Sequence, residues 1–166
     1  TRAEIGLIFS LGSLSAAIAG PLFGRLSDRV GRKPILITSM AIFSITFLLY
    51  SQARSYIDVY VIQLLEGVGW AAMGSSAVAL IMDMVSDRER GEAIGLYNTT
   101  WNIGWILGPA LGGFLAEKIG FRQTFLISSI LIVLGLLFTV KSIRGAKPSQ
   151  PGKAGEGEDF SPFKEP

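Results

Sequence analysis

The stretch GRLSDRVGRK, residues 24–33, places five charged side chains and two glycines between two long runs that carry no charge. Charges gathered between apolar runs are typical of a hairpin between two membrane helices, because they lie where the chain leaves the hydrocarbon. Glycine at such a point permits the backbone angles of a tight turn. The stretch therefore predicts a polar turn at a membrane surface.

Composition extends this interpretation to the whole chain of 166 residues. Its mean hydropathy is +0.47, 17% of its residues are charged, and it has 20 glycines but no cysteine or histidine. These numbers favour packed transmembrane helices over a soluble domain. We expect neither an enzyme nor a cofactor, since no nucleophile–base pair, metal cluster or phosphate loop is present. The net charge of +2 resides in loops, so we expect the lipid bilayer as partner and no nucleic acid.

Five runs are each long enough to cross a hydrocarbon core of roughly 30 Å at a helical rise of about 1.5 Å per residue. The core of the third, residues 59–82, is broken by one charge, at Glu66, and the other four runs carry none. We predict an all-α membrane protein with spans at about 5–23, 34–53, 56–82, 93–116 and 123–140.

The basic residues predict the orientation. If the first turn is cytoplasmic, then that side holds 11 of the 15 lysines and arginines, and the other side holds four. This bias places the N-terminus outside and the C-terminus in the cytoplasm. Residues 144–166 hold four of the seven prolines and little apolar pattern, which predicts a disordered cytoplasmic linker or tail after the helical part at 1–143.

A shift of 89 residues superimposes the two halves of the helical part. Residues 26–31, LSDRVG, then fall on residues 115–120, LAEKIG. Because that period contains three spans, the second copy is inverted in the membrane, as in secondary transporters. The first copy has only two of its three helices, and we expect the third to precede Thr1.

The turn at 24–33 closely resembles the loop signature of the major facilitator superfamily. GWILGPALGG at 104–113 looks like the fifth-helix element of its drug/proton antiporters, and QLLEGVG at 63–69 is similar to a fourth-helix element, with Gln63 in place of the usual arginine. The resemblance implies five helices of one six-helix half of a twelve-helix transporter. Both placements stay open: helices two to six, or helices eight to twelve.

What the resemblance implies is secondary active transport by alternating access in the plasma membrane, with proton-coupled efflux of small compounds. The proton gradient is then the energy source, and the remainder of the polypeptide a necessary partner. The alternative is a membrane sensor or interaction protein that retains the transporter fold without transporting.

Three groups of residues are candidates for that function. The first is a cytoplasmic gating latch, for which simple anchoring of helix ends is the alternative; its members are Gly24, Asp28, Arg29, Gly31, Arg32, Lys33 and Asp83. In it, Arg32 is predicted to pair with Asp83 at the end of the fourth family helix. The second is a surface for close helix packing on the fifth family helix, with a bend at the proline. Its members are Gly104, Gly108, Pro109, Gly112 and Gly113.

The third group is a proton or substrate pathway consisting of Gln63, Glu66, Trp70, Asn98, Asn102 and Trp105. Glu66 is the one charged residue of the run 59–82 and lies in the middle third of its span, where a carboxylate is costly unless it is partnered or protonated. Proton coupling, a structural hydrogen-bonded acid and recognition of substrate charge all remain open for it.

Overall fold

The computed structural model describes residues 2–143, and five α-helices account for nearly all of them. The helices are α1 (Arg2–Val30), α2 (Arg32–Gln52), α3 (Tyr56–Met84), α4 (Arg90–Ile119) and α5 (Phe121–Ser142). Each predicted run coincides with one helix, which usually extends past the run into charged residues. The predicted tail at 144–166 lies outside the described residues.

Four of the helices, α1, α2, α3 and α5, are long and apolar enough to cross a membrane. The remaining helix, α4, has sufficient length at 30 residues, but polar residues such as Asn98 and Asn102 lie near its middle. The span predicted at 93–116 therefore stays a prediction from length.

The outer surface of the helices is apolar. Phe9 is 68% exposed, Ile106 71% and Phe138 71%, and many other large aliphatic side chains are similarly open. So continuous an apolar exterior would be unfavourable in water, whereas lipid tails solvate it well. Most of the molecule's surface is therefore suited to a lipid bilayer.

The junctions α1–α2 and α4–α5 are each a single glycine. Gly31 has φ 104° and Gly120 has φ 85°, and no other described residue has a positive φ. Each glycine N–H still donates to the preceding helix, at 3.1 Å to the Ser27 carbonyl and at 3.0 Å to the Ala116 carbonyl. A side chain would strain this backbone, so glycine is required where one helix stops and the next begins at once.

The predicted repeat coincides with the helix boundaries. Gly31 and Gly120 are 89 residues apart, and the same shift moves α1 onto 91–119 and α2 onto 121–141. These ranges match α4 and α5 to within one residue at each end. The repeat is thus present in the backbone as well as in the sequence.

The two repeat-related helices α2 and α5 pack antiparallel and cap each other. Lys33, at the start of α2, donates to the carbonyl oxygens of Val140, at 3.1 Å, and Ile143 at the end of α5. Its repeat equivalent Arg122 donates at 3.4 Å to the Ala53 carbonyl at the end of α2. A cation at a helix C-terminus satisfies free carbonyls and complements the helix dipole.

Helix α3 packs between α1 and α2, and small residues allow the close approach. A Cβ atom added at Gly67 would overlap the Gly12 carbonyl oxygen of α1 and lie 2.8 Å from the Cβ of Ser15. On the other side, a Cβ at Gly69 would lie 3.1 Å from Ile42 of α2. Van der Waals packing between small residues is the main attraction between helices in lipid, where a hydrophobic driving force is absent.

We predict that Gly67→Ala lowers the free energy of unfolding by about 1–3 kcal/mol, because the added methyl group forces α1 away from α3. Thermal unfolding of the detergent-solubilised chain, followed by circular dichroism, measures this change. Gly74→Ala on the same helix is the matched control, since a Cβ there meets nothing within 4 Å. Equal unfolding temperatures for the two variants would contradict the proposed contact.

Candidate functional site

The polar centre of the molecule lies on one face of α3. Gln63, Glu66 and Trp70 are spaced three and four residues apart and share this face, as the sequence predicts. They line a cavity of about 430 Å³ between α1, α3 and α4. The complete lining consists of Phe9, Gly12, Ser13, Ala16, Gln63, Glu66, Trp70, Trp101 and Trp105.

Tyr50 of α2, which is half-buried, reaches this polar centre from the other side of α3. Its phenolic oxygen lies 2.7 Å from Oε1 of Gln63 and 2.8 Å from Oε2 of Glu66. Its ring packs on Phe125 of α5, with 5.2 Å between ring centroids. The contact thus joins α2, α3 and α5 at the level of the carboxylate.

Sequence reasoning did not identify Tyr50. The available signal is the short connection from Ala53 to Ser55, which makes α2 and α3 an antiparallel hairpin and brings the end of α2 beside the start of α3. Tyr50 is one of the polar residues in that last turn of α2. A hydrogen bond to a buried group of α3 is what such a residue needs in lipid.

The cavity walls supply Glu66 with no positive charge. Its neighbours there are aromatic, small or uncharged polar residues from α1, α3 and α4. Among the described residues, the Tyr50 hydroxyl is the hydrogen-bond partner of the Glu66 side chain. The carboxyl group is therefore held by a phenol and not by an ion pair.

An aromatic cluster connects α4 to the rest of the molecule. Trp70 lies edge-on to Phe43 of α2, at 5.0 Å between centroids, and edge-on to Trp101 of α4, at 5.5 Å. Trp101 in turn stacks with Tyr97 at 6.3 Å. Edge-to-face pairs of this kind add to the stabilisation from burial alone.

A second cavity, of about 470 Å³, adjoins the first on the α3–α4 side and is almost entirely apolar. Trp70, Trp101 and Trp105 line both cavities. The other lining residues of the second are Met73, Tyr97, Thr100, Gly104 and Pro109. The three tryptophans of the chain thus lie between the cavity that contains Glu66 and one that is almost entirely apolar.

The structure places the predicted α4 stripe differently from the prediction. Trp105 lines both cavities, but Asn98 and Asn102 are exposed and line neither. The Trp101 ring packs on Trp70 of α3 and the Tyr97 ring stacks on Trp101, so this side of α4 faces α3. Each asparagine follows one residue later, about 100° further round the helix. Aromatic packing, and not polarity, sets the face of α4.

The glycine surface of α4 is open. A Cβ atom at Gly104, Gly108, Gly112 or Gly113 would meet no described atom within 4 Å, and the same holds for Gly24 of α1. Close packing there stays a prediction. Helix α4 continues through Pro109, which lines the apolar cavity, and the predicted bend also stays a prediction.

The charged end of the bundle centres on Arg32. Its guanidinium lies 2.5 Å from Asp28 of α1 and 3.7 Å from Asp83 of α3, and it also donates to the Ser27 hydroxyl at 3.2 Å. The Arg32 and Asp83 side chains are each 23% exposed, whereas that of Asp28 is 63% exposed. One cation at the start of α2 therefore connects the ends of α1 and α3, as the predicted pairing requires.

The predicted latch residues do not all belong to this cluster. Lys33 points to the end of α5 instead, because the free carbonyls there attract it. Arg29 is exposed, and Gly31 supplies the turn. The Arg32 cluster, defined as Ser27, Asp28, Arg32 and Asp83, is the part that joins three helices.

The helices have an apolar exterior, and a cavity between them holds a carboxyl group and three tryptophans. These features define a multi-pass integral membrane protein with an internal polar site. Comparison with known proteins identifies the family. The chain belongs to the Major Facilitator Superfamily, whose family model matches residues 1–165.

Several curated relatives are multidrug resistance proteins. The chain is 33% identical over 139 residues to the multi-drug resistance efflux pump PmrA of Streptococcus pneumoniae, covering 84% of this chain and 35% of that protein. It is 34% identical to the multidrug resistance protein MdtG of Klebsiella pneumoniae, with 84% and 34% covered. Multidrug resistance protein fnx1 of Schizosaccharomyces pombe is 35% identical over 120 residues, with 72% and 22% covered. The chain thus spans about a third or less of the length of these relatives.

We predict that Asp83→Asn lowers the free energy of unfolding by about 0.5–1 kcal/mol, because it removes the α3 partner of a partly exposed ion pair. Asp87→Asn is the control: Asp87 pairs with Arg90 at 2.8 Å, but its side chain is 87% exposed and the pair joins no two helices. Unfolding in detergent at low and high salt measures both changes. A loss for Asp83→Asn no larger than that for Asp87→Asn would show that the Arg32 cluster does not hold the helices together.

Proposed function

We propose that this chain forms part of a secondary active transporter that exports small compounds by alternating access, coupled to the proton gradient. The observation that carries the proposal is the Glu66 carboxyl group, which faces a cavity between helices and has no cation among the residues lining it. The family and the names of the multidrug relatives support the same activity.

The energetics of a carboxyl group inside the membrane favour a role in proton coupling. An ionised carboxylate within the hydrocarbon is costly, so intramembrane acids face cavities and are commonly functional. A phenol satisfies part of the hydrogen-bonding need of Glu66 but leaves its charge uncompensated. A group in this setting can take up a proton from one side of the membrane and release it to the other when the cavity changes access.

The repeat supports alternating access. Structural repeats of inverted topology allow one unit to rock against another around a fixed central site. The 89-residue correspondence of α1–α2 with α4–α5 supplies two such units. The relatives are about three times as long as the matched region, so we propose that the remainder of the polypeptide closes the substrate cavity.

The lining of the cavities favours small hydrophobic substrates. Tryptophan side chains offer large flat apolar surfaces, and the adjoining compartment carries almost no polar groups. A single acid next to this surface gives a binding site its polar contact. The names of the multidrug relatives agree with a substrate range of this kind.

The Arg32 cluster supplies a latch on one side of the membrane. Its ion pairs join α1, α2 and α3 where the positive charges of the chain concentrate. The distribution of lysine and arginine supports a cytoplasmic position for this side. We propose that the cluster stays closed when the site opens outward. The N-terminus of the chain then lies outside a plasma membrane and the C-terminus inside.

We predict that Glu66→Gln removes the dependence of efflux on an imposed pH gradient, because an amide cannot carry the proton. Fluorescent hydrophobic substrate uptake into everted vesicles that hold the complete transporter polypeptide measures this dependence. The control is Glu117→Gln, an exposed acid at the end of α4 outside both cavities. Gradient-driven uptake that persists in Glu66→Gln would remove Glu66 from coupling. No gradient-driven uptake in the unmodified protein would favour a non-transporting role.

A further inference from the structure

We propose that Tyr50 is a positioning residue for Glu66, whose hydroxyl group changes hydrogen-bond partner when Glu66 gains or loses its proton. The inference rests on the proposed function in so far as it treats Glu66 as the proton-carrying group. It adds Tyr50, on a different helix, as the hydrogen-bond partner of Glu66. Through this partner, protonation of Glu66 affects the contact between α2 and α3.

The contacts of the Tyr50 hydroxyl group need more hydrogens than an ionised Glu66 allows. The Tyr50 oxygen lies within hydrogen-bond distance of Oε1 of Gln63 and of Oε2 of Glu66. A phenol has one hydrogen to donate, while an amide oxygen and an ionised carboxylate only accept. With an ionised Glu66, one of the two short contacts would bring two oxygens together without a hydrogen between them.

A protonated Glu66 resolves the conflict. Its O–H donates to the Tyr50 oxygen, and the Tyr50 O–H donates to Oε1 of Gln63, so both contacts contain a hydrogen. The geometry of 2.8 Å and 2.7 Å suits two successive O–H···O bonds. The structure therefore assigns a directed chain of hydrogen bonds from Glu66 through Tyr50 to Gln63.

Loss of the proton reverses one link of this chain. An ionised carboxylate is the stronger acceptor, because hydrogen bonds to charged groups are about twice as strong as neutral ones. The Tyr50 O–H then turns to Glu66, and its bond to Gln63 is lost. Since Gln63 and Glu66 are one turn apart on α3 and Tyr50 is on α2, the proton changes how the two helices are joined.

The side chains around Glu66, Tyr50 and Gln63 do not take part in this exchange of hydrogen bonds. Facing Glu66, α1 presents Phe9, Gly12, Ser13 and Ala16, and α4 presents Trp101 and Trp105. Helix α5 contributes Phe125, which packs on the Tyr50 ring. None of these side chains is charged, and Tyr50 is the titratable group that lies closest to Glu66 in the described part of the chain.

Infrared spectroscopy of the chain in lipid bilayers tests the proposal without any transport measurement. A protonated carboxyl group gives a C=O stretching band that an ionised one lacks, and Glu66→Gln identifies the Glu66 contribution by difference. We expect this band in the unmodified chain. Tyr50→Phe should shift it to higher frequency, because the acid O–H loses its acceptor, and Gln63→Leu should weaken it, because the acceptor at the end of the chain is gone.

Tyr56→Phe is the matched control, since it removes the same hydroxyl from an exposed residue at the start of α3; the amide bands report whether each variant remains helical. Absence of a Glu66 band in the unmodified chain overturns the proposal and indicates a Gln63 amide turned to donate to Tyr50. An unchanged band in Tyr50→Phe or in Gln63→Leu overturns it as well. The infrared bands can change as expected while Glu66→Gln leaves the pH dependence of transport unaltered. That result would contradict the proposed function and leave the hydrogen-bond chain intact.

Discussion

The close contact between α1 and α3 at Gly12 and Gly67 is the constraint on which the polar centre depends. Because the two backbones touch there, the Gln63 side chain lies against Gly12, where a Cβ atom would be 2.6 Å from its amide nitrogen. Glu66 is then directed into the gap between α1 and α4, and Trp70 reaches Phe43 on the far side. Lipid offers no hydrophobic force to hold such an arrangement, so the fit of small residues has to do so. A larger residue at either glycine would move the carboxyl group as well as the helix.

A second level of organisation comes from the repeat. The same device, a positive-φ glycine followed at its second position by a basic residue, begins both α2 and α5, and each basic residue caps the end of the other helix. Between the caps, Ser44 and Ser129 form a mutual pair in which the Ser129 hydroxyl donates at 2.8 Å to the Ser44 carbonyl. The asymmetry between the copies lies at the preceding position. Arg32 in the first copy gathers two carboxylates, whereas Phe121 in the second is exposed.

The sequence predicts the helices, their order and the repeat well, because these depend on apolar run length and on charged turns, which are local properties. It also predicts the Arg32–Asp83 pair, since both residues lie at helix ends on one side of the membrane. It does not predict Tyr50, the Lys33 contact with α5 or the face of α4. Each of these depends on a neighbour more than ten residues away, and in lipid the outward face of a helix is as apolar as the inward one. Hydrophobic periodicity, which indicates the buried face in a soluble helix, is therefore a weak guide here.

The account holds that the cavity around Glu66 is open to water while the outer face of the same helices meets lipid. The chain has no cysteine, so a single introduced thiol reports its own environment. Ser13 lines the cavity beside Glu66, and its neighbour Leu14 is on the apolar outer side of α1, 56% exposed. In lipid vesicles, we predict that a charged, membrane-impermeant thiol reagent modifies the Ser13→Cys variant and spares Leu14→Cys. Equal modification of both variants, or modification of Leu14→Cys alone, would contradict the placement of Glu66 in a water-filled interior.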